Sequence, residues 1–226
     1  MKMLVDKTEY LTAGIHIGMK SCTPYLKQFV YKIRDDGLAV FNLQRVDERI
    51  KIAADFLSEF ENILVASRKE SASKAIEAFA RATGSRAIAG RFSPGTLTNP
   101  SYKDFFEPDV VLIIDPLIDE QVIKEAKKKR IPIVSLCDTF NHAKDIDLII
   151  PVNNNGRKAL SLLFWALAKE ISKKKKKTFK FKPLDFGVEE EKEKKEKSMV
   201  AELKEKVKEE LKDSVNKEAK GKRVKK

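Results

Sequence analysis

The segment that most constrains this chain is residues 109–115, DVVLIID, whose interior is an unbroken run of branched aliphatic side chains. A strand with one wet face alternates apolar and polar residues. A strand without alternation is covered on both faces, as in a parallel sheet held between helices. The flanking sequence supplies the other parts of such a sheet. Residues 62–66, 86–89, 132–136 and 146–150 read as further short strands. Between them run helical patterns: 46–60, with Ile50, Ala53, Ala54 and Leu57 on one face; 70–83, Ala-rich and stopped by Gly84; and 118–129. A last helix at 155–172 places Leu160, Leu163, Phe164, Leu167 and Ile171 at helical spacing. Strands alternating with helices imply right-handed crossovers and a mostly parallel sheet. Ahead of these, residues 29–34 and 38–43 flank Asp35-Asp36-Gly37, the signature of a β-hairpin. The expected fold is an α/β three-layer sandwich with an N-terminal hairpin.

Charge divides the chain. Residues 173–226 hold 21 Lys and Arg against 12 Asp and Glu, whereas residues 1–172 hold 25 against 22. A nearly balanced domain over 1–172 is therefore followed by a basic Lys/Glu-rich tail over 173–226. The tail contains Val200, Leu203, Val207, Leu211 and Val215 three or four apart, enough for one amphipathic helix and too little for a core. It is expected to be disordered when free, or helical when docked through Val200, Leu203, Val207 and Leu211. The net charge of +12 favours a polyanionic partner, nucleic acid before an acidic membrane. Two distant cysteines, Cys22 and Cys137, imply no disulfide framework and fit a reducing cytoplasm. No apolar run approaches the ~20 residues needed to span a bilayer, and the first ten residues do not read as a signal peptide.

Catalytic signatures are missing where they would be expected. In a parallel α/β sheet, ligands gather at the carboxyl ends of the strands. Those ends carry Ser67-Arg68-Lys69, Gly90-Arg91-Phe92, Asp115-Pro116, Cys137-Asp138-Thr139 and Asn153-Asn154-Asn155-Gly156. Neither G-x-G-x-x-G nor G-x-x-x-x-G-K-[ST] occurs, and the loop GRFSPG has no lysine after its second glycine. Cys137 with His142 would suit thiolate chemistry, but a small buried thiol ending an apolar strand explains Cys137 more simply. Asp115 and Asp138 would suit Mg2+, although turn and capping roles account for both. His16, Cys22, Cys137 and His142 lack the paired spacing of zinc ligands, so no metal site and no cofactor are expected.

Basic residues on loops and helix starts remain. Lys20, Lys27 and Lys32 lie around the hairpin, and Arg45 and Arg49 lie one turn apart on the first helix. Arg68 and Lys69 precede a helix N-terminus, where free N–H groups favour phosphate. Arg91 follows a short strand, Arg157 and Lys158 open the last helix, and Lys173, Lys174, Lys175, Lys176 and Lys177 close it. Any one of these could be a plain solvated charge. As a set they resemble a phosphate-backbone footprint with little base readout. Tyr25, Tyr31, Phe92 and Tyr102 could stack on bases, with core or hairpin packing as the simpler role. A basic α/β enzyme and a protein-recruiting adaptor are the competing classes. The first lacks a phosphate cradle, and the second does not explain the Lys-rich tail.

Six segments in order carry a resemblance: LTAGIHIG (11–18), FVYKIRDDGLAVFNL (29–43), IAGRFSPGTLTNP (88–100), EPDVVLIIDPLIDEQVIKEA (107–126), IPIVSLCDT (131–139) and IPVNNNGRKAL (150–160). They are similar to the second small-subunit ribosomal protein family, whose eukaryotic branch is laminin-receptor-like. The resemblance covers about residues 11–172. It implies a flavodoxin-like α/β domain between head and body of the small ribosomal subunit, contacting rRNA and neighbouring ribosomal proteins. It further implies late entry into assembly, a role in translation, and no catalysis. The helical hairpin that the bacterial branch inserts after its first long helix is absent, and the tail lacks the acidic, Trp-containing character of the eukaryotic branch. The chain therefore resembles an archaeal-type member. The resulting expectation is a cytoplasmic, monomeric structural protein of the small subunit. Small-subunit rRNA and neighbouring ribosomal proteins are its expected partners, with no membrane and no small-molecule substrate.

Overall fold

The structure, a computed structural model, describes residues 3–187. Its elements are α1 (Lys7–Ala13), β1 (Val30–Ile33), β2 (Ala39–Phe41), α2 (Leu43–Ser58), β3 (Ile63–Ser67), α3 (Glu70–Thr83), β4 (Arg86–Ala89), β5 (Val110–Ile113), α4 (Glu120–Lys129), β6 (Ile133–Cys137), β7 (Leu148–Pro151) and α5 (Arg157–Lys174). Short 3-10 turns occupy Leu26–Phe29 and Pro183–Phe186. Five strands form one parallel sheet in the order β4-β3-β5-β6-β7. Counted from its own first strand this order is 2-1-3-4-5, the flavodoxin-like arrangement. The α/β sandwich with a mostly parallel sheet is therefore the observed fold.

The unalternating strand does what its composition requires. Val110, Leu112 and Ile114 face a large core shared with α2, α3 and α5, while Val111 and Ile113 face a smaller one beneath α4 and the 92–106 loop. Right-handed crossovers account for the layers. The connection β3-α3-β4 steps one way along the sheet and β5-α4-β6 steps the other, so the two helices land on opposite faces. The step from β6 to β7 has the same sense as that from β5 to β6, but residues 138–147 make it as a loop without a helix.

Local chemistry sets the element ends. Asn42 caps α2 by accepting from the Gln44 N–H, so the helix starts at Leu43, three residues ahead of the apolar periodicity. Gly84, at φ 81°, ends α3 in the left-handed conformation that glycine adopts without strain. The DG turn closes the β1–β2 hairpin, which forms its own antiparallel sheet. Helix α1 has no counterpart among the sequence expectations, because seven residues with Tyr10 as the single buried one carry no readable period. Tyr10 donates to Asp47 Oδ1, which also accepts the Leu4 N–H, while Lys51 pairs with Asp47 Oδ2. The N-terminal segment is thus held by one buried carboxylate.

The expected boundary at 172/173 does not mark the end of packing. Helix α5 continues to Lys174, and the chain then folds back. Trp165 Nε1 donates to the Phe181 carbonyl at 3.2 Å, and Phe186 is fully buried in contact with the Phe181 ring. Three phenylalanines dispersed among lysines, Phe179, Phe181 and Phe186, extend the packed unit beyond the charge boundary. The proposed tail helix, with Val200, Leu203, Val207 and Leu211, lies outside the described residues. Truncating a buried aromatic removes its burial energy and leaves a void. Phe186→Ala is therefore expected to lower stability by about 3–5 kcal/mol in urea unfolding of the full chain. An unchanged midpoint would put the boundary back at 172.

Candidate nucleic-acid interface

Polar residues at the carboxyl ends of β3, β5, β6 and β7 fold into one buried network. Lys69, after β3, places its ammonium 2.7 Å from Asp115 Oδ2, after β5. The same ammonium lies 3.1 Å from the Asn154 carbonyl, 3.0 Å from Asn154 Oδ1 and 2.7 Å from Asn155 Oδ1, after β7. Asp115 Oδ1 accepts from the Leu117 N–H and from Asn141 Nδ2. Asn141 Oδ1 accepts from the Asp138 N–H and from Asn154 Nδ2, and Asn154 Nδ2 also donates to the Ile114 carbonyl. Asp138 accepts from the Thr139 N–H and from Asn155 Nδ2, while burial pushes its carboxyl pKa up. Asp115 and Asp138 thus serve their turns, as expected, and Asp115 additionally balances a buried cation.

Strand order reverses between β3 and β5, the point where flavodoxin-like sheets take ligands. Here the protein's own Lys69 ammonium fills that position. Lys69 was expected to face phosphate. It is instead enclosed among four oxygens, with a side chain only 10% exposed. Sequence reading missed this because a lysine before a helix looks the same whether it points outward or inward. The Asn153-Asn154-Asn155 run was the available signal.

The N-terminal segment seals the same edge. The Gly18 N–H donates to the Ala39 carbonyl, and the Met19 N–H to Thr139 Oγ1. A side chain at Gly18 would meet the Thr139 methyl at 2.4 Å, so only glycine permits this approach. The Thr23 N–H donates to the Thr139 carbonyl and Asn153 Nδ2 to the Gly14 carbonyl, fastening the hairpin to the strand ends. A second buried acid orders the GRFSPGTLTNP loop. Glu125 on α4 accepts from the Gly95 and Leu97 N–H groups, from Thr98 Oγ1 and from Gln121 Nε2.

These anchors decide where the basic residues sit. Lys20, Lys27, Lys32, Arg45, Arg68, Arg91 and Arg157 are all exposed: Lys20 on the segment before the hairpin, Lys27 in the Leu26–Phe29 turn, Lys32 on β1, and the arginines on the N-terminal turns of α2 and α5 or just past a strand end. Arg49 stacks over the Phe29 ring at 5.2 Å, and Lys158 is half-buried with interactions of its own. The lysines closing α5 belong elsewhere. Eighteen helical residues at about 1.5 Å each put them roughly 27 Å from Arg157. There Lys174 pairs with Asp55, Lys173 reaches Glu170, and Lys175 donates to the Phe60 carbonyl, closing the end of α2. Lys175 is thus engaged within the fold, while Lys176 and Lys177 are exposed. The expected footprint was a dispersed one, and the fold distributes its residues over two basic ends.

The soft side chains do not converge. Among the described residues no three His, Cys, Asp or Glu side chains are placed to share a metal ion. Cys137 is buried, and desolvation pushes its thiol up to about 12. His16 is half-buried, and burial lowers its pKa.

The flavodoxin-like sandwich thus closes its usual ligand position with its own ammonium. The family model described as Ribosomal protein S2 matches residues 10–105 and 102–174. The small ribosomal subunit protein uS2 of Staphylothermus marinus is 48% identical over 173 residues, covering 76% of this chain and 79% of the relative. The uS2 proteins of Saccharolobus solfataricus and Ignicoccus hospitalis are each 47% identical, covering 78% and 76% of this chain and 77% and 82% of their own lengths. The chain belongs to the ribosomal protein S2 family, a family of structural proteins and not of enzymes, and these three relatives are archaeal.

Asp119 gives the edge a measurable pH dependence. It is 4% exposed; Oδ1 accepts from the Arg68 N–H, and among the described residues Oδ2 has no hydrogen-bond partner. Burial raises its pKa from 3.8 to about 6, partly offset by that backbone N–H. Between those values the native state holds a proton that the unfolded chain has released. Stability therefore falls as pH rises through this window and levels above it. Asn at 119 keeps an acceptor and does not titrate. Relative to the parent, Asp119→Asn should gain about 3 kcal/mol between pH 4 and pH 7, at 1.36 kcal/mol per unit. Urea unfolding across that range checks this; parallel pH profiles would mean that Asp119 titrates normally.

Proposed function

We propose that this protein is a structural constituent of the small ribosomal subunit, cytoplasmic with it, and a participant in translation and subunit assembly. In this reading it binds small-subunit rRNA through backbone and shape, and neighbouring ribosomal proteins, between head and body. The observation that carries the reading is the division of labour at the strand-end edge. Lys69, Asp115 and the asparagines close the edge from inside, leaving Arg68, Arg91 and Arg157 outside it. Guanidinium groups on a rigid edge suit phosphate oxygens, and such contacts position a protein on RNA without reading sequence. Family membership supports the ribosomal setting. The lysines beyond α5 add charge at the opposite end, and the tail stripe at Val200, Leu203, Val207 and Leu211 suits a neighbouring protein. The protein acts as a monomer, without cofactor, small-molecule substrate or membrane. Among the described residues no helix is long and apolar enough to cross a bilayer.

Two measurements test this. In sucrose gradients at high magnesium, the protein is expected to co-sediment with small subunits and whole ribosomes, and to leave those fractions after ribonuclease. Recovery only among free proteins would overturn the ribosomal reading. For the isolated full chain, RNA affinity should fall steeply with salt, by about 0.7–0.9 log units per log unit of salt for each phosphate neutralised. Replacing Arg68, Arg91 and Arg157 together with Ala is expected to reduce that slope by about 2–3. A slope left unchanged would place the RNA contact on another surface.

A further inference from the structure

The layer beneath α4 is incomplete. Where a second crossover helix would lie beside α4, residues 138–147 form a loop, and a groove of about 840 Å3 runs between this loop and α4. Its walls include Pro116, Leu117, Ile123 and Phe140, with His142 at the rim. Leu117 is 68% exposed and Ile118 is 36% exposed. An aliphatic pair held in water beside a concave apolar wall marks an interaction site more strongly than scattered exposed leucines do.

The groove is rigid. The Leu117 N–H is held by buried Asp115 Oδ1, which fixes the backbone at this exposed leucine. The same oxygen accepts from Asn141 Nδ2, which ties the two walls together at their base. The Lys127–Asp145 pair, at 2.7 Å, links the walls again further along. A preorganised groove spares a partner the entropy of ordering it.

The rim chooses the partner. Lys124 is paired with Glu120, and Lys127 with Asp145. Lys128 and Lys144 also line the groove, and neither has an ion-pair partner among the described residues. An apolar floor with two uncompensated cations complements an apolar segment that carries carboxylates. RNA fits less well: the floor is mostly aliphatic, its Phe140 ring is half-buried, and the exposed His142 ring stands at the rim and not on the floor. We infer that this groove is the docking site for an acidic amphipathic segment of a neighbouring protein. The segment lies in the place of the missing crossover helix, with an apolar side chain against Leu117 and carboxylates toward Lys128 and Lys144. This goes beyond RNA binding, and the arginines at the strand ends take no part in it.

The test is photocrosslinking in intact cells expressing the full chain with p-benzoylphenylalanine at position 117, followed by sequencing of the attached product. The expected product is a protein segment with net negative charge and an apolar residue at the crosslink. Lys128→Glu with Lys144→Glu should reduce its yield at least tenfold. A synthetic peptide of the sequenced segment should bind the full chain at least tenfold more weakly after Leu117→Ser, an exposed position whose change leaves the fold intact. A crosslink to RNA, a basic or uncharged segment, or no product would overturn the inference. So would a peptide indifferent to Leu117→Ser. Sedimentation of the same cells is read separately. A protein that rides with small subunits yet crosslinks nothing at 117 loses the docking site and keeps the ribosomal reading.

Discussion

The ion pair between Lys69 and Asp115 organises the strand-end edge of this protein. Two opposite charges are taken out of water at the ends of adjacent strands. Such a pair is tolerable only when its remaining hydrogen-bonding capacity is met. Asn154, Asn155, Asn141 and the Leu117 N–H meet it, and in doing so they connect the loops after β3, β5, β6 and β7. The hairpin depends on the result, because its anchor Thr139 is itself positioned by the Asp138 carboxylate. A phosphate ligand would need a cation at this switch point. Of the two cations that follow β3, Lys69 is already satisfied from within and Arg68 faces outward, and the family is one of structural proteins and not of enzymes.

Buried acids shape the outer surface as much as the basic residues do. Asp47, Asp119 and Glu125 are all nearly inaccessible, and each accepts at least one backbone N–H from a distant segment. Carboxylates used in this way tie loops together and no longer offset the exposed cations. The near-balance of charge in the first 172 residues therefore understates how positive the exterior is. Arg68 illustrates the arrangement: its backbone N–H is held by a buried acid while its guanidinium faces outward.

The two faces of the sheet are covered unequally. Helices α2, α3 and α5 cover one face completely, and the aromatic segment after α5 extends that packing over α3. The other face has one helix and two loops. The resulting asymmetry leaves apolar surface around Leu117 on a protein that is otherwise heavily charged. The groove it leaves opens beside the strand-end network, with which it shares Asn141.

The sequence by itself determined the architecture, because burial on two faces leaves a direct trace in composition. The DVVLIID strand, the Asp36-Gly37 turn and the Gly84 stop each reflect a local steric or solvation rule, and α3 and β4 fall where those rules place them. Family membership was legible too, in loops whose residues serve no periodicity. The tertiary structure alone decided which cations are available. Lys69 and Arg68 are neighbours in sequence with the same charge, yet one is enclosed by oxygens from loops more than forty residues away and the other is exposed. The length of one helix sets the lysines that close α5 apart from the loop arginines. Short α1 and the packed Phe186 were hidden for the same reason: partners distant in the chain supply the energy that holds them. Charge and pattern are properties of a residue and its neighbours, whereas exposure is a property of the whole fold.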